Sequence, residues 1–224
     1  MPIMHPEAFS KQVTKEILSK SIELFYTSWD IKSFADDIWI ESSIELRNAL
    51  SEQWEENRKE TGAHPWNIPE WHTAYPEIAW DKEKGCPIPP FKWDGDRRSK
   101  LKAELDAYFA LLYGLEREEL QYVLDPHSVY GADFPSETFR VLKEKDIRKY
   151  GEYRTQRLVL EAYDRLRPSW DMPSHLEKLK SIWQECQIDL SQKKNSEKSK
   201  LEKKPIKNET THVSEPASQY KLGF

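Results

Sequence analysis

The residues best suited to bind a ligand are clustered cations and tyrosines in the segment KEKDIRKYGEYRTQR, which begins at Lys143. Arg and Lys can hold the phosphates of a nucleic-acid backbone, and a neighbouring Tyr can pack on a sugar or a base. Glu144, Asp146 and Glu152 lie among these cations, so the segment also fits a solvated helix face with internal ion pairs. The residue types leave both interpretations open. The candidate DNA-binding or docking residues are Arg148, Lys149, Tyr150, Tyr153, Arg154 and Arg157.

Charge is distributed unevenly along the chain. The whole sequence carries a net charge of -5, which is not that of a polycation made for nucleic acid. Residues 1–60 contain seven Lys and Arg against twelve Asp and Glu, whereas residues 138–168 contain nine against five. The later segment is therefore the better candidate for contact with nucleic acid.

The sequence lacks the motifs that would indicate catalysis. All seven glycines stand alone, whereas a dinucleotide fold, a phosphate loop or a glycine-rich S-adenosylmethionine site needs clustered glycines. In PIPPFKW, Ile88 stands where the Asp/Asn-Pro-Pro-aromatic motif that holds a flipped base has its polar residue. No serine lies in a Gly-x-Ser-x-Gly turn, and neither cysteine has a nearby histidine that would suggest a thiolate pair. We expect no catalytic activity and no cofactor in this chain alone.

The segment 63–93 contains six prolines and four tryptophans, together with the residues His64, His72 and Cys86. The spacing of these three residues matches no standard zinc pattern and a fourth ligand is missing, so we expect no metal. The tryptophans could stack on bases, but three lysines against four acids offer phosphate little attraction. Packing of a long loop on the helices is the favoured interpretation.

Composition bounds the location and class of the protein. Cys86 and Cys186 lie far apart and make no disulfide framework or CxxC metal site. The N-terminus MPIMHPEAF has no basic region followed by an apolar run, and no stretch is apolar for the length of a bilayer. A reducing, cytoplasmic setting without a membrane contact is the simplest expectation.

Apolar periodicity predicts helices along most of the chain. The first has one apolar face and ends at Asp30, and a second run continues to Gly62, a plausible stop. The predicted apolar positions of the first are Val13, Ile17, Leu18, Ser21, Leu24 and Phe25. Those of the second are Ile40, Ile44, Leu46, Leu50 and Trp54.

A helical hairpin is predicted between residues 94 and 124. Asp94 can cap its first helix, Asp96 adds negative charge to the first turn, and Gly114 can end the helix in a left-handed conformation. The predicted inward positions are Leu101, Leu105, Tyr108 and Leu112, then Leu120, Val123 and Leu124, with a close-approach strip of Ala103, Ala107 and Ala110. Glu116, Glu118 and Glu119 would repel phosphates at the start of the second helix, so the hairpin is structural and not a DNA-reading helix-turn-helix.

The remaining helices are predicted from residue 136 or 137 to 150, then to Pro168 with Leu158, Ala162 and Leu166 in register, and over 173–190. Residues from Ser191 onward are rich in Lys, Ser, Glu, Asn and Pro and are expected to be disordered. The predicted fold class is mainly α: one helical domain over 1–190 with a long Trp/Pro-rich loop, followed by a disordered tail over 191–224.

Two long segments carry a family resemblance. FKWDGDRRSKLKAELDAYFALLYGLEREELQYVLDP and VYGADFPSETFRVLKEKDIRKYGEYRTQRLVLEAYDRL resemble the C-terminal region of large adenine-specific DNA methylases. These methylases belong to single-chain type II restriction–modification enzymes and to phage-defence systems such as BREX and DISARM. LFYTSWDIKSFADDIW is similar to the same families, so the resemblance covers about residues 10–168. Its most specific parts are Leu105 to Leu124 and YGEYRT.

The resemblance implies a non-catalytic module. In those methylases the catalytic core comes earlier in the chain, and the resembled region follows the target-recognition segment and packs back on the rest. The implied partners are a methylase or restriction polypeptide that carries the catalytic core, and double-stranded DNA. The alternative is a helical protein-interaction or scaffold protein that makes no contact with DNA.

Overall fold

The structure is a computed structural model that describes residues 8–62, 85–135 and 137–184. Within these ranges it is mainly helical and contains no strand, which confirms the predicted fold class. The chain divides into two units, 1–182 and 183–224, and the surfaces of interest belong to the first. Most of the predicted Trp/Pro-rich loop, the predicted tail and Cys186 lie outside the described residues. Residues 85–93 are described and contain no helix.

The first unit is built from helices that follow one another along the chain with short connections. They are α1 (Lys11–Phe25), α2 (Lys32–Glu41), α3 (Ile44–Thr61), α4 (Gly95–Leu112), α5 (Arg117–Leu124), α6 (His127–Tyr130), α7 (Arg140–Tyr150) and α8 (Arg154–Leu166). Short 3₁₀ turns occupy Trp29–Ile31 and Arg167–Ser169. Residues 172–184 are also helical and are called α9.

The second predicted helical run is two helices, because the chain breaks at Ser42 and Ser43. Ser43 is the N-cap of α3, and its hydroxyl accepts a hydrogen bond from the Leu46 amide at 3.3 Å. A serine in this position satisfies an amide that would otherwise lack an acceptor, and so favours a new helix start. Ile40 and Ile44 beside the break are exposed, whereas the predicted core residues Leu50 and Trp54 are buried. The predicted stop at Gly62 is confirmed, with φ +75°.

Helix α1 buries its predicted position Ile17, but the rest of its buried face differs from the one its apolar residues predict. The predicted positions Leu18 and Phe25 are 39% and 64% exposed, whereas Ile22 and the acidic Glu23, which were not predicted, are buried. Glu23 lies between α3 and α4, where Arg97 donates to its carboxylate from Nε at 2.6 Å and from Nη2 at 2.9 Å. A charged residue at the centre of the buried face cannot be recognised from apolar periodicity.

Two polar side chains of α3 complete the surroundings of Glu23. Gln53 and Asn57 on α3 donate to its two oxygens at 2.6 and 2.8 Å. Asn57 also exchanges hydrogen bonds with the backbone of Lys92, which joins the segment before α4 to the same network. Burial opposes the charge of Arg97, but its hydrogen bond to Glu23 and the nearby Glu60 outweigh that effect and raise its pKa. The network fixes α1, α3 and α4 to one another.

The predicted close-approach strip is confirmed on α4. Ala103, Ala107 and Ala110 are buried against α8, which contributes the buried residues Val159 and Ala162. Small side chains let the two helices pack closely, and this pair makes the most extensive helix–helix contact of the described residues. The last residues of the basic segment, Arg154 to Arg157, belong to α8, so this packing also fixes their position.

The hairpin turn at Gly114 has the predicted conformation. Gly114 has φ +72°, and its amide donates to the carbonyl of Leu111 while the Leu115 amide donates to the carbonyl of Ala110. This pair of hydrogen bonds is the Schellman termination of a helix. Asp94 caps the other end of α4 as predicted, accepting from the Arg97 amide at 2.8 Å.

Helix α5 follows the turn with Leu120 and Leu124 buried as predicted. Val123, predicted to point inward, is 40% exposed. Part of the loop predicted after α5 is the short helix α6, and α7 begins at Arg140, three residues after the latest predicted start. Gly151 ends α7 with φ +77° as predicted. On α9, Leu179 is buried, whereas Trp183 is 46% exposed.

Candidate functional site

Helix α7 presents most of its surface to solvent. Asp146 is its one buried residue, and Val141 is 80% exposed. At helical spacing, Val141, Lys145 and Arg148 share the face opposite Asp146. Lys145, Arg148 and the neighbouring Lys149 are called the basic face. This face is exposed because two polar contacts attach the opposite side of α7 to the rest of the unit.

The first contact attaches α7 to the N-terminus of α8. The Asp146 carboxylate accepts hydrogen bonds from the backbone amide and the hydroxyl of Thr155, both at 2.7 Å. Thr155 lies in the first turn of α8, so Asp146 satisfies an amide that its own helix cannot satisfy. One of the acids expected to neutralise the cations is therefore a capping residue contributed by another helix.

The second contact joins α7 to the end of α5. The Lys143 ammonium lies 3.0 Å from the buried Asp125 carboxylate and 3.5 Å from Glu137. Side-chain oxygens of Asp125 and Glu137 and a ring nitrogen of His127 all lie within 4.8 Å of one another, a grouping that could hold a metal ion. The Lys143 ammonium already supplies the positive charge there, and His127 Nε2 is 2.9 Å from the carbonyl of Phe134. The group is an ion-paired attachment point for α7.

Ion pairing divides the six candidate residues. Arg148 is exposed and makes no ion pair or hydrogen bond with the residues that the structure describes, and the same holds for Lys145. Arg157 is neutralised: Glu152 accepts from its Nη2 at 2.9 Å and Glu161 accepts from its Nη1 at 2.9 Å. The solvated-face interpretation therefore describes Arg157, whereas Arg148 has a free charge.

Tyr150 lies between two cations at the end of α7. The Lys149 ammonium is 4.8 Å from the centre of its ring and the Arg154 guanidinium is 4.5 Å from it. The pKa of the Tyr150 hydroxyl is lowered, chiefly by its interaction with Lys149 and further by that with Arg154, which together outweigh the opposing effect of burial. Arg154 also donates to Asp96 on α4 at 2.8 Å. Lys149 and Arg154 thus both contact Tyr150, and the Asp96 carboxylate is bound to Arg154.

Tyr153 stands apart from the other five candidates. It is only partly exposed, and its hydroxyl is buried without a hydrogen-bond partner among the described residues. Burial raises the pKa of this hydroxyl to about 12. The tyrosine therefore lies under the basic face and not on it, so packing is its evident contribution.

A second surface was not recognised from the sequence. Tyr122, Tyr130 and Phe134 form an aromatic triad: Tyr130 stacks on Phe134 with ring centres 5.2 Å apart, and Tyr122 meets Tyr130 edge-on at 5.6 Å. Tyr130 is 64% exposed. Residues 118–139 contain five Asp and Glu and no Lys or Arg. That absence of cations, with aromatics at 122, 130 and 134, was the available signal.

Two remaining features have structural explanations. Cys86 is buried, its amide donates to Asp36 at 2.7 Å, and burial raises the pKa of its thiol to about 11. The thiolate that a metal would require is therefore disfavoured, while His64 and His72 lie outside the described residues.

A half-open cavity of about 510 Å³ lies between the start of α1, the end of α4 and the start of α9. His175 in its wall is already bonded to the carbonyl of Leu112 at 2.8 Å.

Comparison with known proteins adds no relative. No family model matches the chain, and neither the curated proteins nor the solved structures include a significantly similar one. Among the described residues, no helix has the length and apolar character needed to cross a membrane.

Proposed function

We propose that this chain is a non-catalytic helical module of an adenine-specific DNA methylase of the restriction–modification or phage-defence type. It helps to seat DNA and docks on the polypeptide that carries the catalytic core. The observation that carries this proposal is the basic face of α7, where Lys145 and Arg148 are exposed and unpaired among the described residues. Unpaired cations that are held on a fixed helix suit the phosphates of a duplex.

The arrangement of α7 supports a contact with the DNA backbone and not with base edges. The cations project from one side of a helix that is attached along its other side by Lys143 and Asp146. Phosphate contacts fix the position of a protein on DNA without reading its sequence. In the proposed complex, the target-recognition segment of the catalytic polypeptide reads the bases and this module adds affinity.

Complementation tests the proposal. A methylase of the resembled class, truncated after its target-recognition segment, is assayed for DNA methylation with and without this chain added. We expect the chain to bind the truncated enzyme and to restore methylation, while the isolated chain binds no S-adenosylmethionine. Association without any gain in methylation supports only docking. Failure of both association and methylation, or micromolar cofactor binding by the isolated chain, contradicts the proposal.

The aromatic triad favours a second candidate function, that of a protein-interaction scaffold without DNA contact. Exposed aromatic rings are enriched at the centres of protein interfaces, and Glu118 and Asp133 flank these rings with negative charge. The surface fits a partner that presents Lys or Arg beside apolar side chains. If Tyr130→Ser abolishes binding to the truncated methylase and DNA binding is absent in the wild type, this candidate is the better one.

A further inference from the structure

The cluster at the junction of α4, α7 and α8 has more positive charge than its one bound acid can neutralise. Asp96 accepts from Arg154, and the positive charges of Lys149 and Lys100 also lie close enough to act on its carboxylate. Lys100 is one turn after Asp96 on α4, which places the two on the same side of the helix. A single carboxylate therefore lies within the electrostatic reach of three cations, and Arg154 is the one that is bound to it.

Asp96 is held loosely, whereas Arg154 is held firmly. The Asp96 side chain is 73% exposed, whereas that of Arg154 is 14% exposed. Arg154 is fixed by the start of α8 and by its contact with the Tyr150 ring at 4.5 Å. An exposed ion pair contributes little to stability, so the carboxylate can leave this position at little cost while the cations stay in place.

We propose that Lys149, Tyr150 and Arg154, with Lys100 beside them, form a binding site for a phosphate group of a nucleic-acid backbone. The Asp96 carboxylate occupies the site until a phosphate displaces it. This inference rests on the proposed DNA contact and assigns that contact a defined anion site and a built-in competitor. A phosphate offers more acceptor oxygens than a carboxylate does, so it can bind a guanidinium, an ammonium and a phenol hydroxyl together.

The proposal predicts that removal of the competitor strengthens binding. Asp96→Asn is expected to tighten the binding of a short DNA duplex by about three- to five-fold, the range that an exposed ion pair allows. Asp94 still caps α4 in this variant, so thermal unfolding should change little. The gain should vanish in the Arg154→Gln background, because the competitor acts through Arg154.

Asp164→Asn is the matched control. Asp164 accepts from Arg117 at 2.8 Å in an ion pair that is about half exposed and includes none of the cluster residues, and its substitution removes the same charge. A gain for Asp96→Asn clearly larger than for Asp164→Asn supports the proposal. Equal gains mean that only net charge has changed, and they overturn it.

A titration with inorganic pyrophosphate separates this proposal from the DNA function. If no variant binds DNA, the guanidinium signals of Arg154 are followed by NMR during the titration in wild type, Asp96→Asn and Asp164→Asn. Tighter binding in Asp96→Asn alone supports the phosphate site while the DNA function fails. Equal binding in the three proteins, or no response of Arg154, overturns the proposal.

Discussion

At the scale of single residues, ion pairing determines which of several chemically similar cations are free to bind an anion. Arg148 and Arg157 lie nine residues apart, but Arg157 is neutralised by Glu152 and Glu161 whereas Arg148 is not paired within the described part of the chain. The sequence places acids near both, so it could not separate them. The partner of each acid depends on side-chain geometry: Asp146 caps α8 and Glu144 accepts from Arg140 at 2.9 Å.

Gly114 provides a prediction at this scale. Gly114→Ala is expected to lower the free energy of unfolding by about 1–2 kcal/mol from left-handed strain. An added Cβ would also lie 2.5 Å from Leu176 Cδ2, so this side chain must move. Urea denaturation measures the loss. Gly62→Ala is the control, because φ is +75° there and no atom of the described residues beyond its chain neighbours lies within 4 Å of the added Cβ. A smaller loss at Gly114 than at Gly62 would contradict the described packing of Leu176.

At the scale of elements, local signals identified the hairpin, and long-range contacts determined what was missed. Asp94 and Gly114 act within their own helix and its terminal turns, so their roles can be predicted from spacing. The alanine strip was also visible from spacing, although its packing partner α8 could not be identified in that way. The buried side of α1 and the orientation of α7 depend on partners far along the chain, such as Arg97 for Glu23. The aromatic triad likewise joins residues of α5, α6 and the following loop.

The cap that joins α7 to α8 is tested by Asp146→Ala. Loss of both hydrogen bonds to Thr155 is expected to cost about 1–2 kcal/mol in the free energy of unfolding, the range for loss of a helix cap. The Thr155 amide should also lose protection from hydrogen exchange. Asp146→Asn keeps an acceptor oxygen and should lose less. An Asn variant as unstable as the Ala variant would show that the negative charge, and not the cap, is what matters.

At the scale of the whole first unit, a buried charged network and an aromatic surface have separate roles. Glu23 and Arg97 connect α1, α3 and α4 in the interior. The basic face and the aromatic triad lie at the surface, where a partner can reach them. The two surfaces differ in charge, since residues 118–139 lack Lys and Arg and residues 138–168 are rich in them. A module that contacts both DNA and a partner protein would need a cationic surface for the one and an aromatic surface for the other.

The buried network leads to a prediction for the stability of the whole unit. Glu23→Ala should lower the free energy of unfolding by about 3–5 kcal/mol, because it leaves Arg97 buried without its main partner. The double variant Glu23→Leu/Arg97→Met should lose less than the sum of the losses in Glu23→Leu and Arg97→Met, because it leaves neither charge buried without a partner. Chemical denaturation of the wild type, the two single variants and the double variant measures this coupling. Strict additivity would mean that Glu23 and Arg97 do not interact.

The salt dependence of DNA binding by the full chain tests the central claim most directly. Affinity for a short duplex is measured over a series of salt concentrations for wild type, Lys145→Gln/Arg148→Gln and the control Arg117→Gln, whose arginine pairs with Asp164. The double variant should weaken binding equally for unrelated sequences and flatten the log–log slope by about one unit for each lost phosphate contact. The control should match the wild type. An unchanged affinity and slope in the double variant would contradict the assignment of the α7 basic face to DNA.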